Sequence, residues 1–187
     1  MLRAFIALTP PTTLQHTVAE IREAFQSLQL PWRWVPPEQI HLTLKFLGNV
    51  PAEQVAMITQ AMARAVQGQP AFTLRAQSLG CFPHASRPRV LWVGLADPSQ
   101  ALAHLNERLT TALLPLGFPP EEHPFHPHLT LARAHNGIRS HQLLPVLQAY
   151  QNRCFGAFAV TQLQLFQSKL QRGGALHIIL RSVTLQN

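Results

Sequence analysis

The sequence predicts an α+β fold: a bilobal, pseudo-two-fold duplication with two mainly antiparallel sheets facing across a central cleft and helices outside. Three observations predict it. The tetrapeptide His-Leu-Thr-Leu occurs twice, at residues 41–44 and 128–131, 87 positions apart. Around each copy the order of helices and strands repeats imperfectly. Several strand-like runs follow one another across short turns, as in antiparallel hairpins. The 187 residues are read as one domain over 1–187, whose two pseudo-symmetric lobes interleave strands.

Taken in order, residues 3–8 form a first strand. From Thr12 to Leu28 the apolar residues Leu14, Val18, Ile21, Phe25 and Leu28 recur at spacings of three and four, the stripe of one amphipathic helix. Pro31 and Trp32-Arg33-Trp34 end it, and Ile40–Leu47 is the first His-bearing strand, closed by Gly48. Pro51 opens a second helix carrying Val55, Ile58, Met62 and Val66. Strands follow at 71–79 and 90–95. Asp97-Pro98 reads as an N-cap with proline at the first helical position. A helix with Leu102, Leu105, Leu109 and Leu113 comes next, and the Pro-rich segment 115–127 leads into the second His-bearing strand, 128–133. A short helix near 140–150 precedes two long strands, near 157–167 and 175–184, joined at Gly173-Gly174. The first strand has no evident counterpart after residue 96, so an exchange between lobes is expected, with the C-terminal strand in its place.

Composition narrows the chemistry. No apolar run is long enough to cross a membrane, and the apolar opening is cut short by Thr9-Pro10-Pro11, unlike a signal peptide. A cytoplasmic location is the expectation. Cys81 and Cys154 give no disulfide framework and no metal spacing, and read as buried, reduced thiols. Net charge is +7, from 15 Lys and Arg against 8 Asp and Glu, which favours a polyanionic partner. So few carboxylates make a paired-acid site hard to assemble, whereas there are ten histidines. His16, His104 and His141 fall in helical or loop surroundings and read as surface. Glu20, Glu23, Glu53 and Glu107 read as solvated helix faces.

In a strand, residues two apart share a face, so His41 lies beside Thr43 and His128 beside Thr130. Histidine alone titrates near neutrality, with an ordinary pKa of about 6.5. Two of them supply an acid and a base without metal or cofactor, as in-line displacement at phosphorus requires. One removes the nucleophile's proton and the other protonates the departing oxygen. The threonine hydroxyls donate to non-bridging oxygens where charge accumulates. One His-x-Thr alone has little specificity; two copies in matching places carry the argument. His126 and His128 flank Pro127 and raise the alternative of zinc, but no third ligand stands at a recognisable spacing.

The segments Ile40-His41-Leu42-Thr43-Leu44-Lys45-Phe46-Leu47-Gly48 and Phe125-His126-Pro127-His128-Leu129-Thr130-Leu131-Ala132-Arg133 resemble the paired signatures (HxTx motifs) of the two-histidine phosphoesterase superfamily. Within it they are most similar to the RNA 2′,3′-cyclic phosphodiesterases, first described as 2′-5′ RNA ligases. The resemblance extends to Phe5-Ile6-Ala7-Leu8, to Arg89–Gly94 and to Ser168-Lys169-Leu170 before Gly173-Gly174. It implies hydrolysis of a terminal 2′,3′-cyclic phosphate to a 2′-phosphomonoester without a metal or other cofactor. RNA 3′ ends or tRNA fragments would be the partners, and the protein would act as a monomer. The resemblance makes His41 the proton donor and His128 the acceptor, with Thr43 and Thr130 on the phosphate. A 5′-hydroxyl in place of water would give a 2′-5′ linkage. Where relatives often carry a tyrosine this chain has His177, read as a surface or groove-edge residue.

Alternation places Lys45 on the His41 face, as a phosphate contact. It turns Arg133 away from the His128 face unless the strand is bulged. Trp32, Trp34 and Phe46 are candidates to stack on a base, although Phe46 shares the parity of Leu42 and Leu44 and so points to the core. Arg87, Arg89, Lys169 and Arg172 are candidates for the groove. Two other readings stand beside the leading one: a phosphodiesterase for small nucleotide cyclic phosphates, and an RNA-end-binding module without turnover.

Overall fold

In a computed structural model, residues 1–26, 28–134, 143–171 and 174–186 are described. The expectations placed on Arg172, His141 and Gly173 lie outside them. β1 (Leu2–Leu8) is followed by α1 (Thr12–Ala19) and α2 (Ile21–Gln26). The single helix expected here is thus broken at Glu20, yet Leu14, Val18, Ile21 and Phe25 stay buried across the break. Burial of the stripe, rather than an unbroken hydrogen-bond ladder, holds the segment in place. Then come β2 (Arg33–Trp34), β3 (Leu42–Val50), α3 (Val55–Val66), β4 (Phe72–Phe82), β5 (Val90–Ala96) and α4 (Ala101–Leu113). β6 (His128–Arg133), α5 (Leu143–Ala149), β7 (Cys154–Val160), β8 (Gln162–Gln171) and β9 (Gly174–Thr184) complete the chain.

Asp97 does cap α4, but from further upstream than expected: its carboxylate accepts from the backbone N–H of Leu102 at 2.8 Å, with Gln100 at the N-cap. The long strand expected near 157–167 is two strands in two different sheets, changing over at Thr161. Val160-Thr161-Gln162 contains neither Gly nor Pro, so the crossing leaves no local turn signal.

The sheets run β3-β1-β8-β9 and β2-β6-β5-β4-β7, and all their strand pairs are antiparallel. Leaving aside the two-residue β2, they correspond as β3, β1, β8, β9 to β6, β5, β4, β7. The counterpart of the first strand is therefore β5, lying before residue 96 rather than after it. β1 stays with β3, while β4 is traded against the C-terminal β8 and β9. One apolar core runs through both sheets, from Ile6, Leu42 and Leu165 to Leu91, Val93 and Leu129, and includes the buried stripes of α3 and α4. Phe5, Ala7 and Phe166 form a separate small cluster on the opposite face of the first sheet. That face belongs to the cleft.

Candidate active site

His41 precedes β3, and His128 is the first residue of β6. Each is held by the same device. His41 Nδ1 lies 2.7 Å from the carbonyl oxygen of Gln39, and His128 Nδ1 lies 2.7 Å from that of His126. A carbonyl can only accept, so each ring donates its Nδ1–H to the chain two residues upstream, and Nε2 has no hydrogen-bond partner among the described residues. Two rings in matching tautomers are presented by equivalent strands. Sequence reasoning missed these anchors because a backbone carbonyl has no side-chain signature.

Thr43 stands opposite Ala7 on β1, and Thr130 stands opposite Trp92 on β5. Immediately after each threonine the strand carries an extra residue: Thr43 and Lys45 oppose consecutive residues of β1, and Thr130 and Ala132 oppose consecutive residues of β5. The bulges at Leu44 and Leu131 reverse the alternation beyond them. Lys45 consequently leaves the His41 face, contrary to the expectation. It is only 5% exposed, donates to the carbonyl of Pro119 and pairs with the Glu121 carboxylate at 3.0 Å. Phe46 turns the other way: 63% exposed, it lies 6.2 Å from Phe5 on the cleft face rather than in the core. In β6 the same reversal brings Arg133 to the cleft. It pairs with Val90, on the face that carries Trp92 and Thr130. Phe46 and Arg133 thus occupy equivalent positions of the two lobes.

Each imidazole is packed among rings. His41 lies 4.8 Å from Phe5 and meets His177 edge-on at 5.1 Å. His128 meets Phe82 edge-on at 5.1 Å, with Trp92 at 6.2 Å and His126 at 6.3 Å. The Trp92 indole lies over Gly80, where an added Cβ would come within 2.2 Å of the ring. His177, read as a surface or groove-edge residue, is on the cleft wall against His41 and Phe5, and its buried Nδ1 has no protein partner among the described residues.

Burial sets the electrostatics. It pushes His41 from 6.5 down to about 4; the Gln39 carbonyl opposes the shift, and the charges of His177, Arg133 and His128 add to it. Burial also lowers His128, opposed by the His126 carbonyl and assisted by His126 and Arg133, and lowers His177, assisted by Arg133. The Arg133 guanidinium therefore acts on all three imidazoles. Both motif histidines, lowered from 6.5, are neutral at pH 7. Between pH 6.5 and 4 the unfolded chain binds more protons at His41 than the native chain, so stability is lost as pH falls through that window. From pH 7 to pH 5 the loss attributable to His41 is about 2 kcal/mol. Urea unfolding at both pH values should show wild type losing that much more than His41→Gln; equal losses would refute the shift.

Other expectations are corrected. Trp32 is in the core and Trp34 packs on Phe25 at 6.1 Å, so neither reaches the cleft. Lys169 faces away from the side of β8 that carries Ser168, opposite His177. Arg87 and Arg89 are exposed on the loop after the cis Phe82-Pro83 bond, their backbone N–H groups donating to the carbonyls of His84 and Phe82 at 3.2 and 2.7 Å. Cys154 is exposed, not buried. Among the described residues no group of three His, Cys, Asp or Glu is placed to hold a metal ion, and no helix is long and apolar enough to cross a membrane.

Comparison with known proteins gives concordant matches. The model of a family described as LigT like Phosphoesterase matches residues 8–92 and again 93–177, the two segments meeting inside β5. The RNA 2′,3′-cyclic phosphodiesterase of Aeropyrum pernix is 31% identical over 166 residues, covering 89% of this chain and 93% of that one. Among solved structures, Escherichia coli LigT complexed with 3′-AMP aligns with a TM-score of 0.80 at 27% identity, over 100% of this chain and 99% of that one. A Thermus thermophilus protein aligns with a TM-score of 0.83 at 26% identity, over 98% and 97%.

Proposed function

The chain belongs to the LigT-like phosphoesterase family, and from that premise we propose that it hydrolyses the terminal 2′,3′-cyclic phosphate of RNA to a 2′-phosphomonoester, in RNA processing in the cytoplasm and as a monomer. The observation that carries the reading is the matched pair of anchored imidazoles, each with a threonine hydroxyl on its face. Water attacks phosphorus opposite the 3′-oxygen, and His128 Nε2 takes its proton as the new P–O bond forms. The P–O3′ bond breaks, and the proton on His41 Nε2 passes to the 3′-oxygen. Thr43, Thr130 and Arg133 face the non-bridging oxygens, whose charge grows in the transition state. No step requires a metal. An RNA 5′-hydroxyl in place of water gives a 2′-5′ linkage by the same proton transfers.

The acid must be charged while the base is neutral, yet burial lowers both groups. The arriving phosphate anion restores the proton to the acid. Whichever imidazole is the acid, the two lowered pKa values bound the bell-shaped kcat/KM profile of the free enzyme, so its maximum is expected below pH 6.5. The kcat profile, set by the complex with the anion bound, should lie at higher pH. A kcat/KM maximum at or above pH 7 would contradict the electrostatics. The activity itself is tested with a nucleoside 2′,3′-cyclic phosphate in the presence of a chelator, separating the 2′- from the 3′-phosphate product. Production of the 3′-phosphate, or loss of turnover in chelator, would overturn the reading.

A further inference from the structure

Register places four apolar side chains in one line across the first sheet: Phe46 opposes Phe5, Phe5 opposes Phe166, and Phe166 opposes Ile179. The middle two are covered, since His41 lies 4.8 Å from Phe5 and 6.1 Å from Phe166, and His177 lies 5.0 Å from Phe5. The two ends are open: Phe46 is 63% exposed and Ile179 51%. Phe46 is not where simple alternation from His41 would put it, whereas Ile179 follows His177 onto the cleft face. The bulge at Leu44 turns Phe46 to the cleft. In β9 the alternation from His177 to Ile179 is unbroken and keeps both on the cleft face, while the bulge at Leu180, where Arg181 opposes Leu165 and Ile179 opposes Phe166, lies just beyond them. Large apolar groups are thus exposed at both ends of the row that underlies His41, which folding alone does not favour.

We propose that this face is a two-base platform for single-stranded RNA, one open end receiving the terminal base and the other the base before it, splayed apart around the phosphate. The proposal rests on the RNA reading above and adds a length requirement to it. Three inter-strand steps separate the ends by about 14 Å, which is too far for one base to cover both. Apolar side chains suit bases of any identity because every base has a π-face, so the platform is sequence-tolerant. The occupant is continuous with the proposed phosphate site, because the covered middle of the row is the floor beneath His41. The chain's net charge of +7 favours the polyanion to which a second base is attached.

The test compares kcat/KM for a mononucleotide, a dinucleotide and a trinucleotide ending in the same 2′,3′-cyclic phosphate. Wild type should prefer the dinucleotide by about tenfold, with little added by a third residue. Phe46→Ala and Ile179→Ser should each lower kcat/KM for the dinucleotide by about tenfold, and Phe46→Trp should restore it. Leu114→Ser, an equally drastic change at an exposed leucine in the 3₁₀ turn of residues 114–116 outside the row, should not alter it. Equal values for mononucleotide and dinucleotide in wild type, or wild-type dinucleotide values in both row variants, would overturn the proposal. Anisotropy binding of fluorescent RNA ending in a 2′-phosphate keeps the two readings apart. If no cyclic phosphate is turned over, the hydrolase reading fails. Tighter binding of dinucleotide than mononucleotide, lost in the row variants, would still uphold the platform, and equal binding would remove it.

Discussion

Alanine at either His41 or His128 is expected to lower kcat on a nucleoside 2′,3′-cyclic phosphate by roughly 10²–10⁴-fold. Each Nε2 handles one of the two protons that must move, and among the described residues no other titratable group shares the matched geometry. His177 touches the His41 ring edge-on but lacks the carbonyl anchor that fixes His41 and His128. KM should rise for the variant of the acid, whose imidazolium pairs with the bound anion, and change little for that of the neutral base. The two residues act in one displacement, so the double variant should be scarcely slower than the slower single one. Steady-state kinetics on folded variants checks this, and wild-type turnover by either single variant would sink the His/His mechanism.

The second large effect is expected at Arg133. Arg133→Gln should reduce kcat/KM by roughly 10²–10³-fold, the scale of losing a preorganised donor to a developing oxyanion. Lys45→Met, at the cation nearer to its motif in sequence, should leave kcat close to wild type. It should instead cost about 1–3 kcal/mol of stability, through the lost bonds to Pro119 and Glu121. The pair of measurements reads out the parity reversal directly. If Lys45→Met were the catalytically damaged variant and Arg133→Gln the merely destabilised one, the placement of both side chains would be wrong.

Much of the site is legible in the chain itself. Two copies of His-Leu-Thr-Leu, each with the period of a strand, located both histidines, both threonines and the strands that carry them. Leu102, Leu105, Leu109 and Leu113 likewise announced α4, and all four are buried. These features depend on neighbours close in sequence, where side-chain period and local backbone geometry decide the outcome. The C-terminal strands were less legible. Crossing from one sheet to the other at Thr161 requires no Gly or Pro, only that Val160 pair with Phe72 while Gln162 pairs with Thr184.

What the residues could not announce is which way each strand turns after its motif. Alternation is a local rule, and it holds only while the register with the neighbouring strand is unbroken. The bulges at Leu44, Leu131 and Leu180 are properties of strand pairs, set where a twisted sheet must fit its partner. Those at Leu44 and Leu131 send Lys45 under the surface, bring Arg133 beside the histidines and expose Phe46 to the cleft. The carbonyls of Gln39 and His126 belong to the same class, since any residue supplies one and only the folded backbone aims it. Side-chain chemistry was therefore written in the chain, while orientation awaited the pairing of strands far apart in sequence.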